Sequence, residues 1–143
     1  MNSPLSPDEV AMLRSSLMVL ARRLRNTTLG NELSATAFSV LVRVNRDGPI
    51  APGQLAKAEH VQPPSMTRIV EALEAGGYLS RAPHPNDGRQ TLMSATDAGV
   101  AYIEATREQR NSWLVRHIDQ LAPDEQAALR SVVPVLQRMT ELP

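Results

Sequence analysis

The chain contains no cysteine among its 143 residues. It can therefore form no disulfide, and it has no thiol nucleophile, thiol redox switch or cysteine-ligated metal site. It also contains no run of about 18 apolar residues, so we expect no membrane-spanning helix. Its first residues, "MNSPLSPDEV", show neither the basic start nor the apolar stretch of a secretory signal. A cytoplasmic location is the default expectation.

Aromatic residues and lysine are also scarce. Aromatics make up 3% of the chain, too few for the stacking platforms that bind single-stranded nucleic acids. Lys57 is the only lysine among 15 basic residues, and arginine is the side chain that forms forked hydrogen bonds to phosphates and guanine edges. The excess of arginine over lysine therefore favours a protein that binds nucleic acid. A GC-rich genome, which favours arginine codons, would also explain this excess. The formal net charge of +0 argues mildly against nucleic-acid binding, because nucleic-acid binders are often basic.

Nothing in the pattern of titratable residues indicates catalysis. His60, His84 and His117 lie far apart, in a turn, a loop and a helix. No HxxxH, GxSxG or P-loop spacing accompanies them, and a lone histidine is usually a surface or packed residue. We therefore expect no catalytic residue, no metal site and no cofactor.

A long helix is predicted at the start of the chain. Ser6 and Glu9 form a capping box around Pro7, which suits the first helical position. Apolar residues then recur at alternating steps of three and four: Val10, Leu13, Leu17, Leu20 and Leu24. This narrow stripe is typical of a helix that packs against other long helices, in the same subunit or in another one.

Helix starts, breakers and a change of period predict the elements that follow. They are helices over about 34–47 (N-cap Ser34), 52–60 and 63–75, strands over 78–82 and 91–95, and helices over about 97–120 (N-cap Thr96) and from Pro123 onward, where Ala122 stands in the capping position. The residues predicted to face the core of the middle segment are Phe38, Leu41, Val42, Val44, Leu55, Ala56, Ala58, Met66, Ile69, Val70 and Leu73.

Helix, helix, tight turn, helix, strand, loop and strand follow one another in the order of a winged helix-turn-helix. The expected fold class is therefore mainly α with a small β-hairpin. We predict one domain over residues 1–143, with the winged helix-turn-helix at about 34–96 and long helices at about 6–30 and 97–141 on either side.

The helix predicted over 63–75 has the features of a DNA-recognition helix. Its apolar residues share one face, whereas Ser65, Thr67 and Arg68 fall on the other faces of its first two turns. A major groove about 12 Å wide admits one helix, whose N-terminal residues meet base edges. Two initial prolines preset the backbone and leave the remaining amide hydrogens free for phosphate oxygens. An ordinary amphipathic helix with a solvated polar face would show the same pattern.

The segment "HPNDGRQTLMSAT", His84–Thr96, interrupts the helical pattern. A loop rich in Pro, Asn and Gly holds a hairpin tip stiffly away from the body. Asp87 is expected to pair internally with an arginine: Arg68, Arg81 or Arg89. Arg89 at the tip could then enter the narrow, electronegative minor groove. A generic surface hairpin with one weak charge pair is the alternative.

The motif "DGRQTLMSATDAG", Asp87–Gly99, resembles a pattern of the MarR-type (multiple antibiotic resistance regulator) winged-helix repressors: Asp-x-Arg, an aliphatic strand, then Thr, two residues and Gly. The segments "LSATAFSVLVRV", "LAKAEHVQPPSMTRIVEALEAGGYLSR" and "LAPDEQAALRSVVPVLQRM" are similar to family segments in the same order. The resemblance covers nearly the whole chain, and the Asp-x-Arg wing with "MTRIVEALEAGGYLSR" is its most specific part.

The resemblance implies a sequence-specific regulator of double-stranded DNA, a repressor, that lies on the bacterial nucleoid when bound. It implies a homodimer in which the first, fifth and sixth helices interlace and two wings straddle a pseudo-palindromic operator. By position, the recognition helix would enter the major groove and Arg89 the minor groove, while Ser34 would approach a phosphate and Asp87 would brace the wing. The predicted DNA-contact residues are Ser34, Gln62, Pro63, Pro64, Ser65, Thr67, Arg68, Arg81, Asn86, Asp87, Gly88 and Arg89.

Two features depart from the family pattern. Ala51, Gln62 and Ala122 stand at helix starts where the family often has Ser or Thr, which leaves capping and the phosphate contact at Gln62 open. The family also includes thiol sensors, and a chain without cysteine cannot be one of them.

The resemblance further implies that a small, aromatic or anionic effector releases the DNA by binding between the dimer helices and the winged domain. Met18, Arg22, Phe38 and Val42 are the candidate lining residues, although plain core packing would account for each of them. A second function stays open, because winged helices can also bind proteins: a protein–protein interaction module without specific DNA binding would fit the neutral net charge. No membrane partner is expected.

Overall fold

The computed structural model describes residues 5–27 and 33–143. Within them the chain forms α1 (Pro7–Arg25), α2 (Ala35–Asp47), α3 (Pro52–Ala58), α4 (Pro63–Ala75), β1 (Leu79–His84), β2 (Asp87–Ala95), α5 (Asp97–Ile118) and α6 (Pro123–Glu141). The predicted fold class, mainly α with a small antiparallel hairpin, is confirmed. Backbone contacts divide the chain into a winged unit, residues 28–108, and a helical unit, residues 1–27 with 109–143.

The core of the winged unit forms where α2, α3 and α4 pack with the hairpin and the start of α5. Its buried apolar side chains are Ala37, Val40, Leu41, Val44, Leu55, Ala56, Met66, Val70, Leu73, Leu79, Met93 and Ile103. Most of the predicted core positions are thereby confirmed. Phe38, Val42 and Ile69 are only partly buried against this core. The prediction for Ala58 was wrong, since this residue is exposed where α3 ends.

The β1–β2 hairpin is longer than predicted. The strands pair in register as far as Pro83 and Thr91, after which the register shifts and His84 faces Asp87. The expected long loop was therefore wrong: two residues separate the strands, and residues 88–90 lie in the resulting bulge of β2. Pairing across the hairpin satisfies backbone groups even in a segment with the composition of a turn, and a bulge absorbs the extra residues.

The side-chain caps predicted at the starts of α1 and α2 are confirmed. Ser6 Oγ accepts a hydrogen bond from the Glu9 amide at 3.3 Å, and the Ser6 amide donates to the Glu9 carboxylate at 2.7 Å. Ser34 Oγ accepts from a first-turn amide of α2 at 3.1 Å. Ala122 provides no side-chain cap, as expected, although its amide donates to the Glu125 carboxylate at 2.9 Å.

Where β2 passes into α5, the backbone contacts the Gly77–Tyr78 segment that precedes β1. Thr96 Oγ1 accepts a hydrogen bond from the Gly99 amide at 3.0 Å and donates one to the Gly77 carbonyl at 2.6 Å. It thus caps α5, as predicted. A Cβ atom at Gly99 would lie 2.3 Å from the Tyr78 carbonyl oxygen, so only glycine fits. The spacing of Thr, two residues and Gly therefore has a steric reason.

The helical unit leaves its apolar residues exposed. In its described part, neither α1 nor α6 has a fully buried residue. The large apolar side chains that solvent reaches are Leu5, Val10, Met12, Leu13, Leu17, Met18, Val19, Leu20, Val115, Leu121, Leu129, Val132, Val133, Val135, Met139 and Leu142. This set contains most of the predicted stripe of α1. None of the helices in the described ranges is long and apolar enough to cross a membrane.

Candidate nucleic-acid interface

Helix α4 buries one face in the core of the winged unit and exposes the others. Its predicted apolar residues are buried or partly buried, whereas Ser65, Thr67 and Arg68 are exposed. This arrangement follows from the steps of three and four between the apolar residues. The predicted base-contacting side chains therefore lie in the first two turns of α4, where another molecule can reach them.

These three side chains differ in the hydrogen bonds that they can still form. The Thr67 hydroxyl donates to the Pro63 carbonyl oxygen at 3.1 Å, so it remains an acceptor. Ser65 retains both a donor and an acceptor. Among the side chains that the structure describes, Arg68 has no ion-pair or hydrogen-bond partner, so all its N–H donors are available to a guanine edge.

The start of α4 offers few amide hydrogens. Gln62 is the N-cap, and its side chain makes no capping hydrogen bond. Pro63 and Pro64 have no N–H group, so Ser65 supplies the first amide hydrogen of the helix. The predicted phosphate contact at this end stays a prediction, for which the Ser65 amide and the exposed Gln62 side chain are the available donors.

The wing carries Arg89 in the bulge of β2. Asp87 Oδ1 accepts a hydrogen bond from the Arg89 backbone amide at 3.1 Å, a local bond typical of aspartate in turns. Asp87 thus braces the wing, but the expected ion pair with Arg68, Arg81 or Arg89 was wrong, because its carboxylate reaches this nearer backbone donor. The exposed Arg89 guanidinium has no partner in residues 5–27 and 33–143.

A local hydrogen bond stabilises the turn between β1 and β2. The Asn86 amide donates to His84 Nδ1 at 3.1 Å. Gly88 has open space where a Cβ atom would stand, so its surroundings do not require glycine. Asn86 and Gly88 are both exposed, and their predicted contacts with DNA stay predictions.

Arg81 is engaged within the winged unit. Its Nε and Nη2 atoms lie 3.2 Å and 3.0 Å from Glu74 Oε2, which joins β1 to the last turn of α4. The two side chains are 39% and 37% exposed, so the pair contributes less than about 1 kcal/mol to stability. A contact between Arg81 and DNA stays a prediction, and it requires Arg81 to exchange Glu74 for a phosphate.

Ser34 keeps one hydrogen-bonding function free. Its Oγ atom accepts the capping hydrogen bond of α2, and the residue is exposed. The hydroxyl hydrogen is therefore available to donate to a phosphate oxygen, and the contact of Ser34 with DNA stays a prediction.

Known proteins with similar sequences identify the family to which the chain belongs. The sequence model of the MarR family matches residues 33–91. An HTH-type transcriptional regulator of Mycobacterium tuberculosis is 36% identical over 129 residues, which cover 90% of each chain. The multiple antibiotic resistance protein MarR of Salmonella typhimurium is 32% identical over 109 residues, or 76% of each chain. The chain belongs to the MarR family.

Solved structures agree with this membership. The crystal structure of a MarR mutant from Escherichia coli matches with a TM-score of 0.72 at 25% identity, over 95% of this chain and 99% of that one. As a MarR-family member, the protein is a DNA-binding transcriptional regulator of the helix-turn-helix type. The family and the relatives are regulators and not enzymes, which confirms the prediction on catalysis. No cluster of His, Asp and Glu in the described ranges could hold a metal ion.

The four residues predicted to line an effector site in this MarR-family chain lie in both units. Met18, 63% exposed, and Arg22 belong to the exposed surface of α1. Phe38 and Val42 pack against the core of the winged unit, and the Phe38 ring centroid is 6.2 Å from that of Tyr102. Core packing accounts for the apolar character of Phe38 and Val42, so their role in ligand binding stays a prediction.

A polar cluster that was not predicted from the sequence joins α2 to the turn before α4. Glu59 accepts hydrogen bonds from Arg43 Nε and from Ser39 Oγ, the latter at 2.7 Å. Arg43 Nη1 lies 3.4 Å from Asp47 Oδ2, and Arg46 binds both oxygens of Asp47 at 2.8 Å and 2.9 Å. Only the spacing of Arg43 and Asp47 by four residues signals a contact in the sequence.

The two carboxylates of this cluster are stabilised in their charged forms. Burial raises the pKa of Glu59, but the hydrogen bonds from Arg43 and Ser39, together with the positive charges of Arg43 and Arg46, outweigh it and hold the pKa below its ordinary value. The hydrogen bond from Arg46 is the main reason that the pKa of Asp47 is lowered. Both groups are therefore charged at neutral pH, and their contribution to stability is lost only as the pH falls through the folded-state pKa values.

Proposed function

We propose that two copies of the chain bind a pseudo-palindromic operator and repress transcription. Helix α4 lies in the major groove of each half-site, and the wing places Arg89 in the adjacent minor groove. One observation carries this proposal. Arg68 and Arg89 expose guanidinium groups that have no partner in the described chain, whereas Arg81 of the same unit is paired with Glu74.

The neutral net charge of the chain is compatible with specific binding. A chain with a formal charge of +0 gains little from non-specific attraction to phosphates, because that attraction grows with the number of phosphates neutralised. Base contacts and the minor-groove contact must then supply a larger share of the affinity. We therefore expect a high ratio of specific to non-specific affinity.

The helical unit supports self-association. Its α1 and α6 helices expose many large apolar side chains, and monomeric soluble proteins rarely expose large contiguous apolar patches. We propose, for two reasons, that a second copy of the chain covers these exposed apolar side chains. The apolar stripe of α1 has the spacing that packs against another long helix, and a two-fold symmetric operator requires two α4 helices.

A small aromatic or anionic effector is proposed to release the protein from DNA. Arg22 would bind an anionic group of this ligand, and Met18, Phe38 and Val42 are the apolar side chains whose substitution would change the response. The regulator would act in the cytoplasm, on the nucleoid while it holds its operator. Membership in a family of DNA-binding regulators argues against the alternative function, a protein–protein interaction module without specific DNA binding.

Arg89→Ala is expected to raise the Kd for the operator about fivefold or more, which is about 1 kcal/mol or more of binding free energy. The cause is the loss of the guanidinium from the minor groove. Fluorescence anisotropy with a labelled operator duplex at fixed salt concentration measures the change. Arg130→Ala removes the same charge from an exposed position of α6 and should leave the Kd unchanged. If Arg89→Ala bound the operator as tightly as the wild type, Arg89 would make no energetically important contact with DNA, and the bulge would only be part of the hairpin.

Selection and sequencing of genomic fragments bound by the wild-type protein tests the proposed function directly. The enriched motif should contain two inverted half-sites with centres about 10 bp apart. Arg68→Ala should relax the base preference at one position in each half-site, because a forked contact to guanine specifies the base.

The other outcomes of this selection are also informative. An equal loss of affinity on every sequence would make Arg68 a phosphate contact. An unpaired single site would contradict the dimer. No enrichment at all would contradict the proposed sequence-specific operator binding.

A further inference from the structure

The turn between α3 and α4 is tied to α2 by three polar side chains, Ser39, Arg43 and Glu59, which we call the α2–turn clasp. The Glu59 carboxylate accepts hydrogen bonds from Ser39 Oγ and from Arg43 Nε. Its side chain is 11% exposed and that of Arg43 is 27% exposed. The ion pair between Arg43 and Glu59 is therefore partly shielded from solvent, where it is screened less than a pair at the surface, whereas Ser39 is exposed.

Glu59 lies in the short turn that immediately precedes α4, the proposed recognition helix. It is the C-cap of α3, and Gln62, three residues later, is the N-cap of α4. The Val61 amide donates to the Ala56 carbonyl oxygen at 3.0 Å, and Val61 packs against the core. The short turn is thus held by an apolar contact at Val61 and by the clasp at Glu59.

The backbone of this turn needs such support. His60 has a φ of 53°, a left-handed conformation that a residue other than glycine keeps only when neighbouring contacts determine it. Loss of the clasp leaves the turn with fewer contacts that hold this conformation. The start of α4 would then shift relative to the rest of the winged unit.

We propose that Arg43 and Glu59 are positioning residues for operator recognition. They hold the start of α4 in the orientation that its base contacts require, and they do so without touching DNA. A binding constellation works only when it is held to within about 0.5 Å and 10–20° of its productive geometry. The clasp therefore contributes to discrimination between the operator and unrelated DNA, an inference that rests on the proposed operator binding by α4.

A direct contact with DNA is a poor explanation for these two residues. Glu59 is negatively charged and nearly buried, so it would be repelled by phosphates and could not reach them. Arg43 uses its Nε atom on Glu59 and its Nη1 atom on Asp47. Arg46, on the same helix, has a side chain that is 64% exposed and does not contact Glu59. It is the matched control for long-range attraction between α2 and DNA.

The experiment compares the Kd for the selected operator with the Kd for a shuffled duplex of the same length and composition. Arg43→Ala and Glu59→Ala should each lower operator affinity about fivefold to tenfold, since residues in contact couple at this magnitude, and should leave the affinity for the shuffled duplex unchanged. The double variant should lose no more than the larger single loss, because either change breaks the same pair. Arg46→Ala should bind both duplexes as the wild type does.

Two further measurements separate positioning from folding. All variants are assayed well below their melting temperatures, where a folded fraction near one is verified by circular dichroism. Glu59→Gln keeps the shape and the acceptor oxygen of the side chain but weakens the charge-assisted bonds about twofold, so it should fold and show a smaller loss of discrimination. It also provides the test if Glu59→Ala does not fold.

Several outcomes would overturn the inference. Equal losses on both duplexes would show that the clasp does not contribute to discrimination between the operator and unrelated DNA. Additive losses in the double variant, or an equal effect of Arg46→Ala, would exclude action through the Arg43–Glu59 pair. If the wild type distinguishes the duplexes and the variants keep the same ratio, the positioning role alone fails. If the wild type does not distinguish them, the proposed function fails, and the positioning role with it.

Discussion

Val133→Glu is expected to convert the protein from a dimer into a monomer and to weaken operator binding on the order of 100-fold or more, because linking two binding sites raises avidity by about 10² to 10⁴. Val133 is 50% exposed on α6, among the apolar side chains that the proposed partner subunit covers. A carboxylate buried there without a counterion is strongly unfavourable. In the monomer the same carboxylate remains in water, so the fold of each subunit should persist.

Analytical ultracentrifugation and anisotropy with the operator duplex measure the two effects. Ser131→Glu adds the same charge to an exposed polar position on the opposite side of the same helix and should remain dimeric with wild-type affinity. A dimeric Val133→Glu variant would remove α6 from the proposed interface. A monomeric variant that binds the operator as tightly as the wild type would contradict recognition by a two-fold symmetric pair of α4 helices.

Gly99→Ala is expected to lower the free energy of unfolding by about 2–3 kcal/mol, the upper part of the usual range for forcing extra volume into a packed site. The new Cβ atom would lie 2.3 Å from the Tyr78 carbonyl oxygen and 3.2 Å from Leu41 Cδ1. The first of these neighbours is backbone and cannot rotate away. The start of α5 must therefore move, which also disturbs the hydrogen bond from the Gly99 amide to Thr96.

Urea denaturation followed by circular dichroism measures this loss. Gly53→Ala is the matched control, because Gly53 lies in α3 and nothing stands within 4 Å of the position where its Cβ would lie. That change should stabilise the protein by up to about 1 kcal/mol, since alanine favours the helical backbone. Equal stability of Gly99→Ala and the wild type would show that the contact between β2, α5 and Tyr78 relaxes without cost.

Local signals predicted some elements to the residue. Helix α4 spans Pro63–Ala75, as expected, because two prolines start it and two glycines end it. The caps at Ser6 and Ser34 could also be predicted, because each capping hydrogen bond joins residues within one helical turn. The hairpin was less predictable. Its register is a property of two strands together, and it decides that Arg89 stands in a bulge and not in a loop at the tip.

The order of the elements, the winged fold class and the polar faces of α4 could all be derived from the amino-acid order, since periodicity and capping act over a few neighbouring residues. The partners of the charged groups could not. Arg81 pairs with Glu74, Arg43 with Glu59, and Asp87 with a backbone amide. Which of several nearby carboxylates an arginine reaches depends on distances between packed segments, and those distances exist only after the chain has folded.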